Sequence, residues 1–245
     1  MKKIFALVLA LMLSIGCVAM AETVETKGEG VMTHEEFVAA ELETEVTVET
    51  YVQAKQSWWD GQVTLYTQDH EGGYFIYNLA ITEEENAKLV PGTKIKVTGY
   101  KIEWSGEVEI DGSDATYEIL EGEYVAEPID VTELLASEDL VKYQNMYVSF
   151  KGMTVEPIID AEGNEVAFLY NWDGSGEPGN CDLYFNVSVN GATYQFCVEQ
   201  YLEGVSEVYE AVENLKVGDV IDMEGYLYWY EGVQPHISSV VPAAE

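Results

Sequence analysis

Apolar and polar residues alternate with period two through several short stretches of the chain. Val46, Val48, Thr50 and Val52 take every second position, as do Val148 and Phe150, and Ile95 and Val97 match Ile221 and Met223. That period sets one face of each segment against a core and predicts strands. Turn signals separate them: His70-Glu71-Gly72-Gly73, Ser105-Gly106, Glu231-Gly232 and the two-residue hairpin turn Asn190-Gly191. Pairing about Asn190-Gly191 sets Leu183 opposite Val198, Phe185 opposite Phe196 and Val187 opposite Tyr194. Helical period is confined to short pieces. Thr33-His34-Glu35-Glu36 and Thr82-Glu83-Glu84-Glu85 are capping boxes, and Val208, Ala211, Val212 and Leu215 form one apolar face behind Ser206.

The pattern is written twice. Gly92, Gly99, Tyr100 and Gly106 recur as Gly218, Gly225, Tyr226 and Gly232, each 126 positions later, whereas Val46 and Val148 lie only 102 apart. The second copy therefore carries 24 extra residues (126 − 102) between its first strand and its helix, expected in the segment 176–200. Each copy reads strand, strand, strand, helix, strand, strand, which in an all-β unit is the order of the OB-fold. The run TVETYVQAKQSWWDGQVTLYTQDHEGGYFIYNL through LVPGTKIKVTGYKIEWSGEVEI resembles the OB-fold domains of secreted bacterial proteins of largely unknown role, over residues 44–120 and more loosely over 146–241. The fold class expected is all-β with short helices: two OB-fold-like five-stranded barrels in tandem after a signal peptide. The expected divisions are a signal peptide at 1–21, a tail and short helix at 22–43, one barrel at 44–125, a linker at 126–145 and a second barrel at 146–241. Families of this look often carry a nucleic-acid-binding label, but a fold hosts many functions.

The N-terminus sharpens the address. Lys2 and Lys3 precede a short apolar run, and Ala19-Met20-Ala21 is a small-x-small cleavage site. This reads as a signal peptide cut after Ala21, with a run too short to span a bilayer. The protein is expected outside the cytoplasm, secreted or at the cell surface. Ser14-Ile15-Gly16-Cys17 resembles a lipobox with Ser where Leu is usual, so a lipid anchor at Cys17 is the second reading.

Charge changes the expected partners. The formal net charge is -34, with 11 lysines and no arginine. Such a chain repels polyanions at long range, and nucleic-acid affinity rests largely on cationic contacts to phosphate. The charge therefore argues against nucleic acid, although Lys55, Lys88, Lys94, Lys96 and Lys101 gather in the first copy.

Catalytic motifs are missing from the sequence. There is no G-x-S-x-G elbow, no phosphate loop and no H-E-x-x-H pair. His34, His70 and His236 fall in a helix start, a turn and a late strand. Asp173, Ser175, Glu177, Asn180 and Asp182 supply oxygens along one loop, but not at EF-hand spacing, and read as a polar turn. Cys181 and Cys197 point to opposite faces of their hairpin, against an easy disulfide. No catalytic residue, metal or cofactor is expected.

Aromatic residues carry the remaining signal. OB-folds bind through the face of their second and third strands and through the first-second and fourth-fifth strand loops. In the first copy Trp58 and Trp59 occupy one such loop, Trp104 the other, and Tyr66 and Tyr77 the strands; Tyr228-Trp229-Tyr230 matches Trp104 in the second copy. The five residues of the first copy are the candidate ligand site. The expected role is a non-catalytic binding module for an extracellular ligand: a glycan, a peptide or a small molecule. The alternatives are a nucleic-acid-binding OB-fold protein and a structural or adhesion protein. The sequence leaves the oligomeric state open.

Overall fold

A computed structural model describes residues 27–244. The signal-peptide reading, its cleavage site and Cys17 lie outside the described residues. Among the described residues, no helix is long and apolar enough to cross a membrane.

The first barrel contains β1 (Glu45–Lys55), β2 (Gln62–Gln68), β3 (Gly73–Ala80), β4 (Thr93–Trp104) and β5 (Glu107–Glu123). They close in the ring order β1-β2-β3-β5-β4, with β3 and β5 parallel. The long β1 bridges the seam, pairing with β4 through its first half and with β2 through its second. Alternate residues fill the interior: Val46, Val48, Val63, Leu65, Tyr74, Ile76, Ile95, Val97 and Ile110 are buried together. Helix α1 (His34–Ala39) is opened by the Thr33 capping box and packs Phe37 against Tyr74, ring centroids 5.1 Å apart. Its C-terminal carbonyls are closed by Lys101, whose Nζ donates to Phe37 O, Val38 O and Ala40 O at 3.0, 2.8 and 2.8 Å. A cation on the last carbonyls of a helix is electrostatically favourable there. The α2 turn (Glu83–Asn86), capped by Thr82, links β3 to β4.

Residues 126–146 hold β6 (Ile129–Asp130) and two 3-10 turns, and lead into the second barrel. Its ring strands are β7 (Tyr147–Glu156), β11 (Leu183–Val189), β12 (Ala192–Val198), β13 (Val220–Tyr226) and β14 (His236–Pro242), with α3 (Ser206–Glu213) between β12 and β13. The order β7-β11-β12-β14-β13, closed by β11 on β7, repeats that of the first barrel. Val48 pairs with Val97 in one barrel and Phe150 with Met223 in the other, so the two sequence offsets fall on equivalent ladder positions.

One expectation is corrected. The hairpin at 183–198 has the register predicted from Asn190-Gly191, but it is not an insertion. Its strands are the second and third of the barrel. The extra length lies before it, at residues 157–182, where β8 (Ile158–Ile159), β9 (Glu165–Val166) and β10 (Leu169–Tyr170) elaborate the loop between the first and second barrel strands. Cys181 and Cys197 are both free thiols.

Candidate functional site

The outer face of β2 and β3, where an OB-fold presents its ligand surface, is covered at its centre in the first barrel. Tyr66 and Phe75 sit side by side on that face and form one buried cluster with Leu202 and Tyr226 of the second barrel. Tyr66 is fully buried and stacks on Tyr226, centroids 4.6 Å apart at 26°. Such ring pairs contribute ~0.5–1.5 kcal/mol beyond their buried area. The Tyr66 hydroxyl donates to Glu199 Oε2 at 2.5 Å and lies 2.6 Å from His236 Nδ1, while Gln56 Nε2 donates to Glu199 Oε1 at 2.8 Å. Burial alone would push the Glu199 carboxyl up, but His236, Tyr66 and Gln56 outweigh it and hold the group below its ordinary value. Burial, then Glu199, pushes the Tyr66 phenol well above its own.

The contact extends past the aromatic patch. Tyr147 N donates to Gln68 Oε1 at 2.7 Å, Asn145 Nδ2 to Val108 O at 3.0 Å, and Ser57 N to Tyr201 O at 2.7 Å. Gly73, at the start of β3, lies so close that a Cβ there would fall 2.3 Å from the Asn145 carbonyl carbon. Glu107 is wholly buried between the barrels, and its Oε2 accepts from Trp229 N at 2.9 Å and Gln144 Nε2 at 3.2 Å. Among the described residues, neither its other oxygen, Oε1, nor Asn145 Oδ1 accepts a hydrogen bond. Burial raises this carboxyl to about 8 despite those donors, so it carries a proton at neutral pH.

The equivalent face of the second barrel is open. There the outer sides of β11, β12 and β14 present Tyr184, Gln195 and His236, the loop before β11 presents Trp172, and the β13–β14 loop presents Tyr228 and Tyr230. Together they border a cleft of about 760 Å³. Trp172 is 67% exposed on a turn held by its own side chains: Asn171 Oδ1 accepts from Trp172 N, and Asp173 Oδ1 from Ser175 N. Of the oxygens read as a candidate cation loop, Asp173 Oδ1 and Ser175 Oγ are engaged in this turn and Asp182 Oδ1 accepts from Gln200 N at 2.9 Å. At the cleft floor Tyr228 stacks on His236, centroids 4.1 Å apart at 22°. Burial first, then Asp182 and Glu199, pushes the Cys197 thiol far up, so it sits there as a packed side chain rather than a nucleophile. Among the described residues the cleft carries flat rings and amides, two carboxylates (Asp182 and Glu231) and no lysine.

The five candidate residues of the first barrel are not brought together. Tyr66 has no surface left for a ligand, a correction whose cause is the docked second barrel. Trp58 packs against the barrel core and donates its Nε1 to Ile81 O at 2.9 Å. Trp59, 75% exposed, borders a separate cavity of about 510 Å³ with Trp58 and Tyr201. Tyr77 and Trp104 are exposed around a third cavity, considered below. Tyr184 was missed because its strand was read as part of an insertion, and Trp172 because its loop was read as a polar turn.

The lysines of the first barrel are also accounted for. Lys94 pairs with Glu49 at 3.0 Å, Lys96 with Glu118 at 2.7 Å and Lys88 with Glu84 at 3.9 Å. Lys55 donates to Asn86 O at 2.8 Å, and Lys101 closes α1.

No protein-family model matches the chain, and no characterised protein matches it by sequence. Solved structures similar to it include a murine DNA-binding protein bound to double-stranded DNA, at 13% identity and TM-score 0.38, covering 81% of this chain and 97% of that one. The Ifi202 HINa domain in complex with double-stranded DNA matches at 11% identity and TM-score 0.34, covering 83% and 98%. A deletion mutant of the single-stranded DNA-binding protein of Thermus aquaticus matches at 15% and 0.26, covering 82% and 94%. These structures are nucleic-acid-binding proteins. The partner expectation, an extracellular ligand such as a glycan with nucleic acid disfavoured by charge, is corrected accordingly.

Proposed function

We propose that the chain is a non-catalytic nucleic-acid-binding protein that takes unpaired bases on the open face of its second barrel. The observation that carries this reading is the asymmetry of the two barrels. The Tyr66–Phe75 centre of one strand-two/strand-three face is consumed by packing, and the equivalent centre of the other stays open between Trp172, Tyr184 and Tyr230. Base stacking on such rings is sequence-tolerant, and amides such as Gln195 and Gln234 can meet base edges. With no lysine in the cleft, phosphates face outward and affinity comes from the bases. Binding then does not weaken as salt rises, because few counterions are released and screening relieves the repulsion between two acidic partners. Export, as the N-terminal residues suggest, is proposed with it, and N-terminal sequencing of the secreted chain tests that part.

Fluorescence anisotropy with a labelled single-stranded oligonucleotide, at low and high salt, tests the binding reading. Trp172→Ala is expected to weaken binding about tenfold or more, since stacking is worth ~1–3 kcal/mol per base and ~1.4 kcal/mol is tenfold. The melting temperature stays fixed, because Trp172 is largely exposed. Failure to bind any single strand, or affinity that collapses with salt, refutes it.

A further inference from the structure

A third cavity, of about 620 Å³, opens on the outer side of β5 in the first barrel. Its middle strand presents Glu109 and Asp111. The strand ladder places rings and an apolar side chain on either side: Phe75 and Tyr77 lie beside Glu109 and Asp111 in β3, and Ile102 and Tyr100 lie beside them in β4. Trp104, 60% exposed, and Tyr77 wall the cavity, and Tyr228 of the second barrel closes one side. Glu109 is only 4% exposed, and it has no hydrogen-bond or salt-bridge partner among the described residues. A buried carboxylate without donors is costly unless something supplies positive charge.

We propose that this cavity binds a small organic cation of the ammonium or guanidinium class, held by Glu109 and Asp111 between Tyr77, Trp104 and Tyr228. The rings decide against a hard metal ion. Calcium needs six or more oxygens in its shell, and two carboxylates in an aromatic enclosure do not provide them. Organic cations gain from aromatic faces and from a nearby carboxylate together. The cavity accounts for features that the base-binding reading leaves unused: exposed Trp104 and Tyr77, and a desolvated carboxylate in the first barrel. The two sites share only Tyr228, so they can be tested apart.

Binding has a proton signature. Burial, with Asp111 beside it, raises the Glu109 carboxyl to about 7, so a fraction of it is protonated at neutral pH. An arriving cation favours the ionised form, and the proton leaves to solvent. Isothermal titration of the full chain with choline and with agmatine, against the neutral isostere 3,3-dimethylbutan-1-ol, tests the proposal. At least one cation is expected to bind at least tenfold tighter than the isostere. Its heat at pH 7 should differ between phosphate and Tris in the sense of proton release. Glu109→Gln and Trp104→Leu are each expected to weaken it at least tenfold, and Glu109→Gln to abolish the buffer dependence. Equal affinity for the isostere, no binding of either cation, or cation affinity unchanged in Glu109→Gln overturns it. Neither variant touches the second-barrel cleft, so oligonucleotide binding is expected to stay as it is in both.

Discussion

Glu107→Gln is the perturbation that most sharply tests how the two barrels are held together. The carboxyl is fully buried at their contact, and its acidity is displaced from 4.5 to about 8 by burial. In the unfolded chain it ionises near its ordinary value, so above that pH folding must take up a proton. The stabilisation from this uptake is fully present below about 4.5 and is lost as pH rises through about 8. At ~1.36 kcal/mol per pH unit the displacement is worth at most ~5 kcal/mol, of which roughly 4 falls between pH 5 and 9. In a chain of this size that is a melting-temperature loss on the order of 10 °C. Other carboxylates also weaken the protein as pH rises, Glu109 among them, so the quantity to read is the difference between wild type and variant. The amide of the variant keeps an oxygen for Trp229 N and Gln144 Nε2 and carries no charge at any pH. Urea unfolding at pH 5, 7 and 9 should show the variant equal or slightly weaker at pH 5 and progressively more stable relative to wild type as pH rises, with more than half of the ~4 kcal/mol change already present at pH 7. Parallel stability curves across that range would mean Glu107 is not a buried acid, and the account of the contact would fail.

Other variants separate packing from binding. Tyr66→Phe removes the hydroxyl from a buried carboxylate and is expected to cost ~1–3 kcal/mol in chemical denaturation. Trp58→Ala should cost roughly 2–3 kcal/mol, below the ~3–5 kcal/mol of a fully buried Trp because it is only partly buried, whereas Trp59→Ala should leave the melting temperature unchanged. Lys101→Met leaves three carbonyls at the end of α1 without their cation and should cost about 2 kcal/mol, with amide exchange fastest in residues 34–40.

Period-two patterning and the paired turn signals were enough to place both barrels, because alternation and Gly-containing turns are local properties. The 126-residue offset held because the helix-to-last-strand portion has nearly the same length in each copy. The position of the extra residues was not legible. Leu183–Val198 is a self-contained hairpin, and nothing local says whether such a unit belongs to the barrel or is appended to it. Barrel closure decides it, through the pairing of β11 with β7 and of β12 with β14. The candidate site failed for a related reason. Tyr66 has the right position on the right strand, but whether that face meets solvent depends on residues more than a hundred positions away, Glu199, Tyr226 and His236. The buried Glu107 was likewise hidden among many surface carboxylates, since only the tertiary contact removes its water.

The five tryptophans provide the most direct test of where ligand binds. Their indole N–H signals in a nitrogen-15 NMR spectrum report on Trp58, Trp59, Trp104, Trp172 and Trp229 separately. During titration with a short single-stranded oligonucleotide, the Trp172 signal is expected to move furthest while those of Trp58 and Trp59 stay fixed. A spectrum in which Trp172 does not respond while Trp59 or Trp104 does would return the site to the first barrel and contradict the account.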